Sequence, residues 1–177
     1  MHYRLRSTEP GDENVLLAIY ASTRADEMAL TNWNAAQIEA FVRQQFEAQR
    51  RHYAQHFPQA WCQLILLGES SDRVAGRLWL DWREGALHVL DISLLPEARC
   101  QGLGTKCLRA LMGQAAAQQR ALTIYVELHN PARRLYERLG FEPDGEAQGL
   151  YQHMRWQDRE GAASPSFPST DKECLPC

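Results

Sequence analysis

Apolar residues along this chain change their spacing several times, and each change marks an element. Residues 3–6 alternate as a short strand. Thr8-Glu9-Pro10, followed by Asp12 and Glu13, gives a helix start with acids in the first turn, and that helix is predicted over residues 13–25. Asn34 and Gln37 open a second helix, whose stripe Ile38, Phe41, Val42, Gln45, Phe46 and Gln49 continues to about residue 56, ahead of Pro58. Residues 24–33, between the two helices, read as a polar and aromatic connection anchored by Trp33. Residues 61–68 and 74–82 read as strands joined by a turn at Ser70-Ser71-Asp72. In the second of them Gly76, Leu78, Leu80 and Trp82 alternate with Arg77, Asp81 and Arg83. Glu84-Gly85 then turns the chain into the next strand.

That strand, residues 87–95, is apolar apart from His88, Asp91 and Ser93. Period two puts Leu87, Val89, Asp91 and Ser93 on one face and His88, Leu90, Ile92 and Leu94 on the other. A carboxylate is expensive to bury unpaired, so Asp91 must face a cleft or have a partner. A glycine-bearing turn, a helix over 104–119 and a strand over 122–128 follow, the strand carrying Thr123, Tyr125 and Glu127 on its polar face. Asn130 is placed to cap a helix with Pro131 at its first position. Ala132, Leu135, Tyr136 and Leu139 share that helix's buried face, and Gly140 ends it. A hairpin from Phe141 turns between Asp144 and Gly149 and returns as a strand over 150–156. From Gln157 onward Ser, Pro, Gly and charge replace periodicity, so a folded domain is expected over 1–156 and a disordered tail over 157–177. The element order predicts an α/β fold: a mixed sheet of six to seven strands flanked by four helices on its two faces.

Composition narrows the function. At 177 residues with 45% hydrophobic and 23% charged, the chain has enough length for one domain with a buried core. A net charge of -3 gives no basic field for nucleic acid. The N-terminus has no signal-type apolar region and residues 15–20 are too short to cross a membrane, so a cytoplasmic protein without a membrane partner is expected. Cys62, Cys100, Cys107, Cys174 and Cys177 are an odd set that reads as reduced, and Cys174-x-x-Cys177 lacks a second ligand pair, so no metal is expected.

The chemistry concentrates at residues 94–112, where an apolar strand passes through Pro96, Gly102 and Gly104 into a helix. Unpaired N–H groups and the helix dipole make such a turn an anion site, and glycines let a phosphate approach. Spacing rules out a P-loop, because Lys106 follows Gly104 by two and Cys107 stands where a hydroxyl is needed. A dinucleotide fingerprint lacks its third glycine, though Glu127 imitates its acidic ribose ligand, so a nucleotide-dependent oxidoreductase stays open as an alternative. Arg99, Gly102 and Gly104 instead satisfy Arg/Gln-x-x-Gly-x-Gly/Ala. With Asn130-Pro131-Ala132 and Leu135-Tyr136-Glu137-Arg138-Leu139-Gly140-Phe141 downstream, the chain resembles the GNAT superfamily of N-acetyltransferases. The resemblance is sharp over residues 87–156 and only topological before them.

The resemblance implies transfer of an acetyl group from acetyl-CoA to a primary amine, by direct attack in a ternary complex. It implies a cosubstrate site made by Leu94, Leu95, Arg99, Cys100, Gln101, Gly102, Leu103, Gly104 and Thr105, with Asn130 either on the pantetheine arm or only capping its helix. It also implies Tyr136 as general acid toward the coenzyme thiolate, and Asp91, shorter than the family's usual glutamate, as the base through a water relay; His88, Glu127 and Glu27 are the alternatives. The acceptor is a small-molecule amine or a protein amino group, and a strand exposed in the final hairpin would suit a homodimer. A coenzyme A-binding module without catalysis is the other alternative.

Overall fold

The computed structural model describes residues 2–68, 73–83 and 85–158. The turn at 70–72, Glu84, the tail from residue 159 and both of its cysteines lie outside the described residues. Seven strands form one sheet in the order β1-β2-β3-β4-β5-β7-β6: β1 (Tyr3–Ser7), β2 (Trp61–Leu67), β3 (Arg73–Arg83), β4 (Ala86–Leu94), β5 (Ala121–Glu127), β6 (Glu142–Pro143) and β7 (Tyr151–Trp156). The described helices are α1 (Glu13–Ala29), α2 (Ala35–His56), α3 (Leu103–Ala117) and α4 (Arg133–Arg138). Every neighbouring pair is antiparallel except β4 and β5, which are parallel and joined through α3.

Two apolar layers hold the sheet. Leu78, Leu80, Leu87, Val89, Leu122 and Ile124 pack with Leu103, Leu108 and Leu111 of α3 on one face. Leu16, Ile19, Tyr20, Val42 and Phe46 of α1 and α2 pack with Cys62, Leu64 and Leu66 on the other. The capping box at α2 forms as its sequence demands: the Asn34 side chain accepts from the Gln37 amide at 3.0 Å and the Gln37 side chain accepts from the Asn34 amide at 2.9 Å. Helix α1 outruns its predicted end at residue 25, because Met28 extends the buried stripe and Arg24 pairs with Glu27 one turn on, at 3.0 Å. Arg24 and Glu27 are therefore helical residues, and the connection shrinks to the few residues before Asn34. At α4, Asn130 Oδ1 accepts from the Ala132 amide at 2.9 Å in a turn that carries Pro131, so the helix starts at Arg133. The edge strand β6 has two residues, one of them Pro143, and offers a second copy little backbone to pair with.

The largest departure from simple alternation is in β4. Val89 lies opposite Leu80 and Asp91 opposite Trp79, leaving Leu90 as an extra residue. Beyond this bulge the faces exchange: Ile92 and Leu94 join Leu87 and Val89 over α3, whereas Asp91 and Ser93 cross to the face of α1 and α2. The same point ends the parallel pairing. β4 and β5 are in register only from Ala86 to Val89 against Ala121 to Ile124, after which β4 stays with β3 and β5 stays with β7. A notch therefore opens in the middle of the sheet.

β3 is pressed close to the end of β4 at this notch. A Cβ added to Gly76 would collide with the Ser93 carbonyl and meet Leu94 Cδ2 at 2.9 Å, so only glycine fits there. Gly76→Ala is expected to lower unfolding free energy by about 1–3 kcal/mol, the range for overpacking a close-packed site, measured by urea denaturation. A loss below about 0.5 kcal/mol would show that β3 and β4 separate freely at the notch.

Candidate active site

The notch continues into a cleft of about 550 Å³. Its lining takes Asp91, Ser93 and Leu94 from β4 and the exposed Tyr125 and Glu127 from β5. Tyr20, Arg24 and Glu27 of α1, Gln49 and Tyr53 of α2, Tyr136 of α4 and Tyr151 of β7 close its sides.

At one end of the notch a single 3-10 turn, Pro96–Ala98, leads into the glycine segment. Cys100 has φ 57 and Gly102 φ 76, and Gly102 is the N-cap of α3 without any side-chain cap. The first intrahelical bond is donated by the Lys106 amide to the Gly102 carbonyl at 3.1 Å, so the amides of Leu103, Gly104 and Thr105 have no acceptor within the helix. A Cβ at Gly102 would meet nothing within 4 Å, so the space before these donors is open. One at Gly104 would make only ordinary contacts at 3.7 and 3.8 Å with Leu135 and Leu94. Unsatisfied donors, the helix dipole and an open approach fit an anionic group.

The other predicted cosubstrate residues have varied surroundings. Arg99 Nε donates to the Leu94 carbonyl at 2.8 Å, and Nη2 donates to the Ser22 carbonyl at 3.1 Å and the Ser22 hydroxyl at 3.2 Å. Its guanidinium thus straps the end of β4 to α1 along the cleft wall. Gln101 Nε2 donates to the Glu97 carbonyl at 2.6 Å and braces the turn from within. The Leu95 amide is taken by the Ala75 carbonyl at 2.8 Å, and the Leu103 side chain is core. Asp91, Leu94, Arg99, Asn130 and Tyr136 line the cleft together; Leu95 and the segment from Cys100 to Thr105 stand outside its lining, at the start of α3.

Asp91 meets both conditions set by its sequence context, a cleft and a partner. Arg77 Nε donates to its Oδ2 at 2.7 Å, and the Ser93 hydroxyl donates to its Oδ1 at 2.8 Å. Arg77 is only 1% exposed, and burial of that guanidinium is offset by three further neighbours. Its Nη2 donates to Gln49 Oε1 at 2.9 Å, and its charge lies 5.6 Å from the Tyr20 ring centroid and 6.0 Å from that of Phe46. The Tyr53 hydroxyl donates to the Leu90 carbonyl at 3.2 Å, occupying the backbone oxygen of the bulge. Tyr136 packs against Phe141 in the core. Burial raises its phenol well above the usual value and the Asp91 charge acts in the same direction, so it stays protonated.

Arg77, Gln49, Tyr53 and Ser93 escaped the sequence reading. Tyr53 was recoverable, since it continues the stripe of α2 four residues after Gln49. Arg77 was not, because alternation places it on the polar side of β3 without showing that α2 covers that side. Removing Arg77 strands Asp91: Arg77→Met should destabilise by about 3 kcal/mol, and Arg77→Met with Asp91→Leu should restore at least half of that. Urea unfolding of the two variants checks this, and equal losses in both would mean the ion pair is not the source.

The chain matches the model of the Acetyltransferase (GNAT) family over residues 28–141. Among solved structures it resembles the PaiA N-acetyltransferase of Thermoplasma acidophilum, solved in complex with coenzyme A, at TM-score 0.66 and 15% identity over 89% of this chain and 100% of that one. An acetyltransferase of Thermus thermophilus aligns at TM-score 0.64 and 18% identity, covering 89% and 97%. The spermidine/spermine N-acetyltransferase of Vibrio cholerae, solved in mutant forms, aligns at 0.56 and 18%, covering 88% and 95%. At such identities the likeness speaks for the fold.

Proposed function

This chain belongs to the acetyltransferase (GNAT) family, and on that premise we propose that it transfers an acetyl group from acetyl-CoA to a primary amine by direct attack in a ternary complex. The observation that carries this reading is the notch itself: a sheet split between parallel strands, with open helix amides at one end and Tyr136 and Asp91 facing the gap. The complex of a similar fold with coenzyme A supports the choice of cosubstrate.

Acetyl-CoA supplies an activated acyl group and a thiol leaving group. The amides of Leu103, Gly104 and Thr105 would hold its pyrophosphate, and Gly102 keeps their approach free of side chains. The unpaired edge of β4 beyond Val89 is available to its amide-bearing arm. Asn130 serves its turn through Oδ1 and faces the cleft. Tyr136 holds a proton at Oη, which burial and the nearby carboxylate keep in place at neutral pH, so the phenol is in the protonated form that a donor to the leaving thiolate needs. Arg77 and Ser93 each occupy one lone pair of the Asp91 carboxylate and leave others open, and the amine's proton reaches it through water or the Ser93 hydroxyl.

Tyr136→Phe should lower kcat by about a hundredfold, with acetyl-CoA affinity by calorimetry changed less than about twofold. Full turnover in that variant removes Tyr136 from the mechanism. Asp91→Asn should lower kcat by at least about tenfold with acetyl-CoA affinity by calorimetry changed less than about twofold. A wild-type kcat would exclude Asp91 as the base.

A further inference from the structure

Three carboxylates and three guanidiniums line the cleft, and they are unequally paired. Asp91 is held by Arg77 at 2.7 Å and Glu27 by Arg24 at 3.0 Å, while Arg99 is directed at Leu94 and Ser22. Glu127 has no cationic partner among the described residues; its Oε1 accepts from the Tyr151 hydroxyl at 3.2 Å. Strand register explains its surroundings. Tyr151 lies directly across from Glu127 in the β5–β7 pair, and Tyr125, two residues earlier in β5, shares its face. Tyr125, whose ring packs on His153 at 4.6 Å, and Tyr151 are its same-face neighbours along and across the strands, 43% and 47% exposed.

The position belongs to the acceptor's side. The helix amides that fit a pyrophosphate belong to α3, which packs on one face of the sheet. Glu127 lines the cleft together with Tyr20, Arg24 and Tyr53 of the two helices on the opposite face. A carboxylate without a cationic partner, on a strand face that also carries exposed phenol rings, attracts a cation and an apolar body together. It also repels a second carboxylate; the guanidiniums of Arg24 and Arg77 are already in ion pairs, and that of Arg99, the third in the cleft, is bound to the Leu94 carbonyl and to Ser22.

We propose that Glu127, neighboured by Tyr125 and Tyr151, is the docking point for the ammonium group of the incoming acceptor, and that the acceptor is a primary amine with an aromatic or apolar body and no carboxylate. The proposal rests on the acetyltransferase reading. Glu127 is here a positioning residue that selects the amine at the mouth of the cleft, ahead of proton loss at the Asp91 end.

The test titrates phenethylamine and phenylalanine into the protein saturated with coenzyme A, by calorimetry, for wild type and for Glu127→Gln, an exposed and nearly isosteric change. Phenethylamine should bind wild type at least about fivefold more tightly than phenylalanine, and Glu127→Gln should erase most of that preference without altering coenzyme A affinity. With phenethylamine as acceptor, the variant should raise KM more than it lowers kcat. Equal binding of the two probes, an unchanged preference in the variant, or no phenethylamine binding to protein that holds coenzyme A overturns the docking role and leaves the transferase reading in place. Failure to bind coenzyme A overturns both.

Discussion

Leu90 is one residue more than the ladder between β3 and β4 can accommodate, and the cleft depends on it. A strand without the bulge would keep Asp91 and Ser93 under α3, in an apolar layer with no cation to meet the carboxylate. The bulge moves them to the face where Arg77 waits and puts Ile92 and Leu94 into the core instead. It also coincides with the end of pairing between β4 and β5, which leaves a strand edge open inside a sheet. Such an edge is costly in backbone hydrogen bonds unless something else occupies it. Two of its oxygens are taken, that of Leu90 by Tyr53 and that of Leu94 by Arg99. The groups left over face the cleft, and the proposed acetyl-CoA would lay its amide-bearing arm along them.

Around that opening, polar groups hold the layers in place. A guanidinium as deeply buried as Arg77 adds little net stability, because desolvation offsets most of its attraction to Asp91. Its contribution is geometric. Through Asp91, Gln49 and the rings of Tyr20 and Phe46 it ties β3, β4, α1 and α2 to one point. Arg99 does the same at the rim, joining the end of β4 to Ser22 of α1. The cleft therefore has walls from separate parts of the chain that are fixed relative to each other by directional bonds.

Much of this was legible in the residues. The glycine pair after Pro96, the apolar stripe of α3, the cap at Asn34 and the glycine at 140 each dictate local backbone, and each appears where local rules place it. The crossover through α3 made a mixed sheet legible, but not the strand order, in which β7 inserts between β5 and β6. What local rules could not show is what one element does to another. The bulge at Leu90 leaves no mark in composition, since leucine suits either face. The extension of α1 needed the Arg24–Glu27 pair and the burial of Met28, both decided by packing. Arg99 enters the expected cosubstrate site through the family resemblance, and in the fold its Nε and Nη2 go to Leu94 and Ser22, so the donors left open at the turn are backbone amides.

The most direct test of the notch as a coenzyme A site is thermal unfolding of the protein with and without acetyl-CoA, with NADH in parallel. Ligand at about a hundred times its dissociation constant adds roughly 2.7 kcal/mol, which at about 2–4 °C per kcal/mol for a domain of this size raises Tm by several degrees. That rise is expected with acetyl-CoA, and none with NADH. An unchanged Tm with acetyl-CoA, or a rise confined to NADH, would contradict the assignment, since the notch and the α3 turn would then not hold coenzyme A.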